Sequence, residues 1–137
     1  MTAYVDSSIV LRIVLGEARP LREWRSIERP FASELVQLEC LRTLDRMRFR
    51  ASASDAVVAE RRAAVIETLR GFELVRVGAR ILRRAADPFP TSLATLDAIH
   101  LATALSLRDE HPGLTVATHD TEFATAARAM GFAIAGV

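Results

Sequence analysis

Four carboxylates stand close to points where a strand gives way to a helix: Asp6 in YVDSS, Glu39 in SELVQLECLR, Asp97 in LDAIHLATAL and Asp120 in VATHDTEF. Singly, they have ordinary uses. Asp6 stands where a carboxylate caps the free amides of a new helix. Asp97 lies in a first helical turn, where the helix dipole favours an exposed carboxylate by about 0.3–1 kcal/mol. Glu39 is three residues before Arg42, the spacing of an ion pair on a solvated face. Together they suggest more. In an open parallel sheet, ligands bind beyond the carboxyl ends of the strands, where the strand order reverses. Asp6 follows the first strand, and Asp120 follows the strand LTVAT with only His119 between. The short HPG connection brings the start of the Asp97 helix to the same end, and Glu39 lies early in a helix that begins where a strand at Phe31 and Ala32 ends. Carboxylates gathered in a partly apolar crevice repel one another unless a cation holds them. Oxygen donors with no cysteine and no histidine pair suit Mg²⁺ or Mn²⁺ better than Zn²⁺. Such an ion activates water and stabilises the charge that builds as a phosphodiester is cleaved, so phosphate chemistry is the leading expectation.

The elements that must position these acids alternate. Ala3 to Val5 reads as a buried strand, followed by a helix from about Ser8 to Leu15. A second helix, opened by Pro20 and ended by Pro30, is expected to carry Leu21, Trp24 and Ile27 into the core. After the short strand Phe31–Ala32, with Ser33 as N-cap, comes a helix with Leu35, Leu38, Leu41, Leu44 and Met47 at three-residue spacing. ASAS is read as a loop. Ser54 caps a helix running to about Arg70, and Gly71 is expected to end it in a left-handed conformation. FELVRV reads as a strand, Ala79 to Ala86 as a short helix, and DPFPTS as a loop. Thr95 or Ser92 opens a helix apolar on nearly every side, which implies burial. LTVAT, a helix from Thr121 to Met130 ended by Gly131, and the strand FAIAGV complete the chain. This alternation predicts an α/β sandwich on a mainly parallel sheet, as one domain over residues 1–137.

Composition narrows the partners. Half of the 137 residues are apolar, enough to bury a real core, and a net charge of +1 excludes a strongly basic field for non-specific nucleic-acid binding. All 18 basic residues are arginine, a bias that a GC-rich genome explains and that suits phosphate contact equally well. A single cysteine, Cys40, excludes an internal disulfide and a cysteine zinc cage, and fits a reducing cytoplasm. Neither an export signal nor a membrane span is expected.

In this order and spacing, YVDSSIVL, SELVQLECLR, LDAIHLATAL and VATHDTEFATAARAMG resemble the four acidic motifs of the PIN-domain family, and most closely its VapC toxins. The resemblance runs from Ala3 to Phe132, and LDAIHLATAL is its most specific piece. It implies a three-layer α/β/α fold with strand order 3-2-1-4-5. It also implies a metal-dependent endoribonuclease that leaves a 5′-phosphate and a 3′-hydroxyl, restrained by a small VapB-like antitoxin, with a homodimer as the expected assembly. Carried over by motif, Asp6, Glu39, Asp97 and Asp120 form the acidic site. Asp6 and Asp97 are the foremost direct Mg²⁺ ligands, Asp120 binds directly or through water, and Glu39 serves a second metal or the attacking water. Ser7 and Thr118 match the family's supporting polar positions. His119 stands at a variable family position, and Glu122 adds a fifth carboxylate; surface placement is the ordinary reading of both.

Other polar residues have plain accounts. His100, one turn after Asp97, is expected to be a buried ring bonded to backbone, with no metal role. Cys40 reads as a small core residue. Arg42, Arg46, Arg48 and Arg50 crowd a helix C-terminus, where the dipole and RNA phosphate explain them equally well. Two rival functions stand beside the nuclease. A receiver domain or haloacid-dehalogenase-like phosphatase usually needs a lysine by its carboxylates, and this chain has none. A catalytically inactive PIN-like module would bind the antitoxin yet cleave nothing.

Overall fold

The computed structural model describes residues 1–50 and 52–137. Five parallel strands form one sheet in the order β3-β2-β1-β4-β5. The strands are β1 (Thr2–Val5), β2 (Arg29–Ser33), β3 (Glu73–Val75), β4 (Thr115–Ala117) and β5 (Ala133–Ala135). The helices are α1 (Ser7–Leu15), α2 (Leu35–Arg50), α3 (Asp55–Leu69), α4 (Ala79–Ala86), α5 (Thr95–Leu107) and α6 (Thr121–Ala129). The chain builds outward from β1 through β2 to β3, then returns to place β4 and β5 on the opposite side. The strand order therefore reverses between β1 and β4, the place where a parallel sheet opens a crevice.

Alternation along the strands splits the core into two faces. Ala3, Val5, Ala32 and Ala117 face Ile9 and Val10 of α1, Cys40 and Leu44 of α2 and Val65 of α3. Tyr4, Phe31 and Val116 face the other way, onto Leu101 and Ala104 of α5 and Phe123 and Ala127 of α6. Three layers result, with the sheet in the middle. Among the described residues no helix is long and apolar enough to cross a membrane.

Local chemistry sets most of the boundaries. Asp6 caps α1, and Gly16 closes it at φ 63°, a left-handed conformation that glycine adopts without strain. Ser33 Oγ accepts the Leu35 N–H at 3.1 Å, and Ser54 Oγ accepts the Val57 N–H at 3.3 Å. The loop expected at ASAS includes Ala51, which lies outside the described residues.

Four expectations are corrected. The second helix is only a 3₁₀ turn, Arg22–Ser26, because REWRS has no apolar stripe to bury; Leu21 beside it is buried, whereas Trp24 and Ile27 are only partly covered. Pro30 ends no helix but lies inside β2. The Arg29 N–H faces the Met1 carbonyl just before β1, so the next position faces the opposite side, where β3 pairs only from Phe31 onward and no donor is needed. In α2 the buried stripe is Val36, Cys40 and Leu44, at four-residue spacing, and Leu38 is 59% exposed. A three-residue repeat drifts around a 3.6-residue turn and cannot stay on one face. Gly71 is not left-handed; α3 ends at Arg70 in an ordinary right-handed conformation.

Candidate functional site

Asp6 stands at the carboxyl end of the central strand, 7% exposed, and its N–H extends the β1–β4 ladder by bonding to the Ala117 carbonyl at 2.9 Å. Its Oδ1 accepts the Ser7 N–H at 2.8 Å, the bond expected of a cap. Its Oδ2 accepts hydroxyl donors from Ser8 at 2.6 Å and from Thr118 at 2.8 Å. The cap engages Oδ2 only weakly, through the Ser8 N–H at 3.4 Å, and that oxygen is otherwise fixed by the two hydroxyls toward β4. Thr118, fully buried, also accepts the Asp120 N–H at 2.9 Å, so one hydroxyl ties Asp6 to the loop that carries Asp120. Asp120 in turn caps α6, its Oδ1 accepting the N–H groups of Glu122 and Phe123 at 2.8 and 2.9 Å.

Glu39 does not pair with Arg42, whose guanidinium bonds Asp45 instead at 3.3 Å. It turns inward. Its Oε1 accepts the Ser7 hydroxyl at 3.4 Å, and its Oε2 accepts Nε2–H of His100. His100 is 2% exposed and, against expectation, is bonded through side chains: its Nδ1 meets the Tyr4 hydroxyl at 2.8 Å. Tyr4 Oη also accepts the Ser33 N–H at 3.2 Å. Burial pushes the Tyr4 hydroxyl well above its ordinary pKa, so it keeps its proton. Burial by itself lowers the His100 pKa, but the hydrogen bond and charge of Glu39, with Asp6 and Asp97 behind it, outweigh that and leave it raised.

Asp97 occupies the first turn of α5, and its carboxyl is pushed up to about 6. Burial is the largest cause, the charges of Asp120, Asp6 and Glu39 push the same way, and His100 opposes them. A dipole partner alone would be lowered, so the helix-terminus account of Asp97 is outweighed. Asp97 thus stands close enough to the other three acids, at one edge of the sheet, for their charges to act on it.

Among the described residues no three His, Cys, Asp or Glu side chains form a ready-made metal cage. The donors at hand are carboxylate oxygens, and both His100 nitrogens are engaged. This chemistry fits a hard cation that keeps several waters, and Mg²⁺ binds through one or two carboxylates in that way. It does not fit a closed zinc site.

The neighbouring residues separate cleanly. His119 turns to the Gly136 carbonyl, which its Nδ1 meets at 2.8 Å. Glu122 is exposed, and among the described residues no hydrogen bond joins its carboxylate to the four acids. Burial raises the Cys40 thiol to about 12, which leaves it protonated and inert. Arg46 bonds Thr43 at 3.0 Å and Arg48 meets Asp55 at 3.4 Å. The sequence reading passed over the Tyr4–His100–Glu39 chain and the second hydroxyl, Ser8. The spacing of His100 one turn beyond Asp97, and the doubled serine in YVDSS, were the available signals.

An order-reversing parallel sheet with four acids at its carboxyl edge defines a class of protein: the chain belongs to the PIN domain family, which it matches over residues 3–129. Within that class it is 34% identical over 135 residues to Ribonuclease VapC46 of Mycobacterium tuberculosis (strain ATCC 25618 / H37Rv), covering 96% of this chain and 94% of that protein. Among solved structures it is similar to a toxin-antitoxin complex from Klebsiella pneumoniae, at 17% identity and TM-score 0.65, covering 90% of this chain and 91% of that one. It is likewise similar to Mycobacterium tuberculosis VapC20, a sarcin-ricin loop cleaving toxin, at 22% identity and TM-score 0.64, covering 99% and 98% of the two chains. Those two likenesses bear on the fold.

Proposed function

We propose that this chain is a Mg²⁺-dependent endoribonuclease, with Mn²⁺ able to substitute, and the toxin of a VapBC-like toxin–antitoxin pair. The observation that carries the reading is the gathering of Asp6, Glu39, Asp97 and Asp120 at one sheet edge, where burial first, and then the charges of Asp120, Asp6 and Glu39, raise the Asp97 carboxyl. Such crowding costs stability unless a cation answers it. Identity to a named VapC ribonuclease over nearly the whole chain supports the same reading.

In this mechanism Asp6 and Asp97, with Asp120, would hold the ion, and Glu39 would orient the attacking water or serve a second metal. When bound, the ion supplies an activated water and neutralises charge on the cleaved phosphate. Ser8 and Thr118 fix Oδ2 of Asp6, and Ser7 donates to Glu39, so the acids meet the substrate already oriented. The reading includes a small VapB-like antitoxin, an RNA substrate, a homodimer, one PIN-like domain over residues 1–137 and a cytoplasmic location without membrane attachment.

The test compares wild type and Asp97→Asn on total cellular RNA with Mg²⁺, with Mn²⁺ and with chelator. Discrete cleavage by wild type alone, abolished by chelator, is the expected result. A folded, antitoxin-free wild type that cleaves nothing would turn the reading toward an inactive binding module.

A further inference from the structure

We infer that His100 is a positioning residue for Glu39, and that Tyr4 holds His100 in place for that task. The inference rests on the nuclease reading above. Glu39 sits in the second turn of α2, on a flexible stem, and the negative charges beside it favour rotamers that carry it out to solvent. Two contacts oppose this, the Ser7 hydroxyl on Oε1 at 3.4 Å and the His100 ring on Oε2. The first is long and weak, so the ring is the principal anchor.

Donor chemistry makes the arrangement directional. A carboxylate only accepts, so Nε2 of His100 carries the hydrogen that faces Glu39 in either charge state of the ring. In the neutral ring Nδ1 then accepts, and the protonated Tyr4 hydroxyl supplies the donor at 2.8 Å. Tyr4 is fully buried in β1 and held by the Ser33 N–H from the end of β2. Orientation therefore passes from the sheet to the ring and from the ring to the carboxylate. The arrangement also crosses layers: α5 lies on one face of the sheet and α2 on the other, and the His100–Glu39 bond joins them over its carboxyl edge. Because α5 also carries Asp97 one turn earlier, a single helix sets the spacing between Asp97 and Glu39.

The ring itself is no metal ligand, because both nitrogens are occupied. Partners that orient a ligating side chain in this way are typically worth roughly 10- to 100-fold in metal affinity or activity. His100→Leu removes the donor, His100→Gln keeps an N–H near the Nε2 position, and Tyr4→Phe removes only the hydroxyl behind the ring.

The experiment measures four things on wild type, the three variants, Glu39→Gln and the double variant His100→Leu/Glu39→Gln. These are Mn²⁺ affinity by titration of the free ion, kcat and KM on a cleaved RNA, melting in chelator, and the NMR signal of the His100 Nε2–H in metal-free protein. Wild type is expected to show a downfield ring N–H signal that shifts in Glu39→Gln. His100→Leu should lose roughly 10- to 100-fold in Mn²⁺ affinity and kcat with KM little changed, and His100→Gln should recover most of both. The double variant should be no worse than Glu39→Gln alone, since a residue acting through Glu39 has nothing left to position. Should His100→Leu prove unstable, Tyr4→Phe and His100→Gln carry the comparison. A wild type that binds Mn²⁺ and cleaves, while the His100 variants keep full affinity and kcat or add their losses to those of Glu39→Gln, overturns the positioning role alone. A wild type with the ring signal but neither Mn²⁺ binding nor cleavage overturns the nuclease reading, and the positioning role with it.

Discussion

Replacing Asp97 by Asn should strengthen the metal-free fold while removing the activity. The carboxyl stands at about 6 against an ordinary 3.8, so the folded protein holds that proton more tightly than the unfolded chain does. Protonated Asp97 therefore favours the fold. Its contribution is present in full below the unfolded value and is lost as pH rises through about 6. The interval from 3.8 to about 6, at about 1.36 kcal/mol per pH unit, sets an upper bound near 3 kcal/mol. Asp97 is only half-buried, and solvent screening reduces this to ~1 kcal/mol. Asparagine keeps the shape and never ionises, so the variant should escape the loss. Melting curves of both proteins in chelator, at steps from pH 4 to pH 8, provide the assay. The two should coincide at pH 4, and the variant should melt roughly 3 °C higher at pH 8. Added Mg²⁺ should raise the wild type toward or past the variant and move the variant little. A variant that melts lower at pH 8, or an offset independent of pH, would refute the argument that crowded charge at this edge costs stability.

Three further outcomes follow from contacts around the acids. Thr118→Val leaves the Asp120 N–H without its acceptor and removes a donor from Asp6, so denaturant unfolding should show a loss of about 1–3 kcal/mol that Thr118→Ser largely avoids. Gly136 has φ 107°, and a Cβ there would stand 2.4 Å from the Thr118 carbonyl oxygen, so Gly136→Ala should destabilise by more than about 1 kcal/mol and lower cleavage through displacement of Thr118, as melting and RNA assays would show. Cys40, with its thiol at about 12, should resist iodoacetamide at pH 8 in the folded protein and react only when denatured, which mass spectrometry would reveal.

The strands and their alternation with helices were legible because alternation and turn chemistry are local, whereas the three layers and the strand order were implied by the family resemblance. YVDSS announces a strand end and a helix cap within five residues, and both stand where expected. The failures were tertiary. Pro30 reads locally as a helix stop, and only the late start of β3 beside it makes a place for it in a strand. Leucines at three-residue spacing in α2 looked like one face, but packing against α1 and α3 selected the Val36, Cys40 and Leu44 stripe. The clustering of the acids could be argued from topology alone. The tie from Glu39 to His100 could not, since it depends on two helices from opposite layers meeting over a sheet edge.

The bond between Thr118 and Asp6 spans 112 residues, and that between Glu39 and His100 spans 61. Their length has a bearing on how the protein is made. A chain still on the ribosome, translated only through the DPFPTS loop, owns Asp6 and Glu39 but lacks the other two acids, the ring that orients Glu39 and the strand that closes one side of β1. Synthesis must pass through α5, which brings Asp97 and His100, and go on to β4 and the Asp120 cap of α6 before all of these are supplied. Under the nuclease reading, a product that stops before α5 lacks half of the acidic site, and the potency of the molecule is conferred by its later elements.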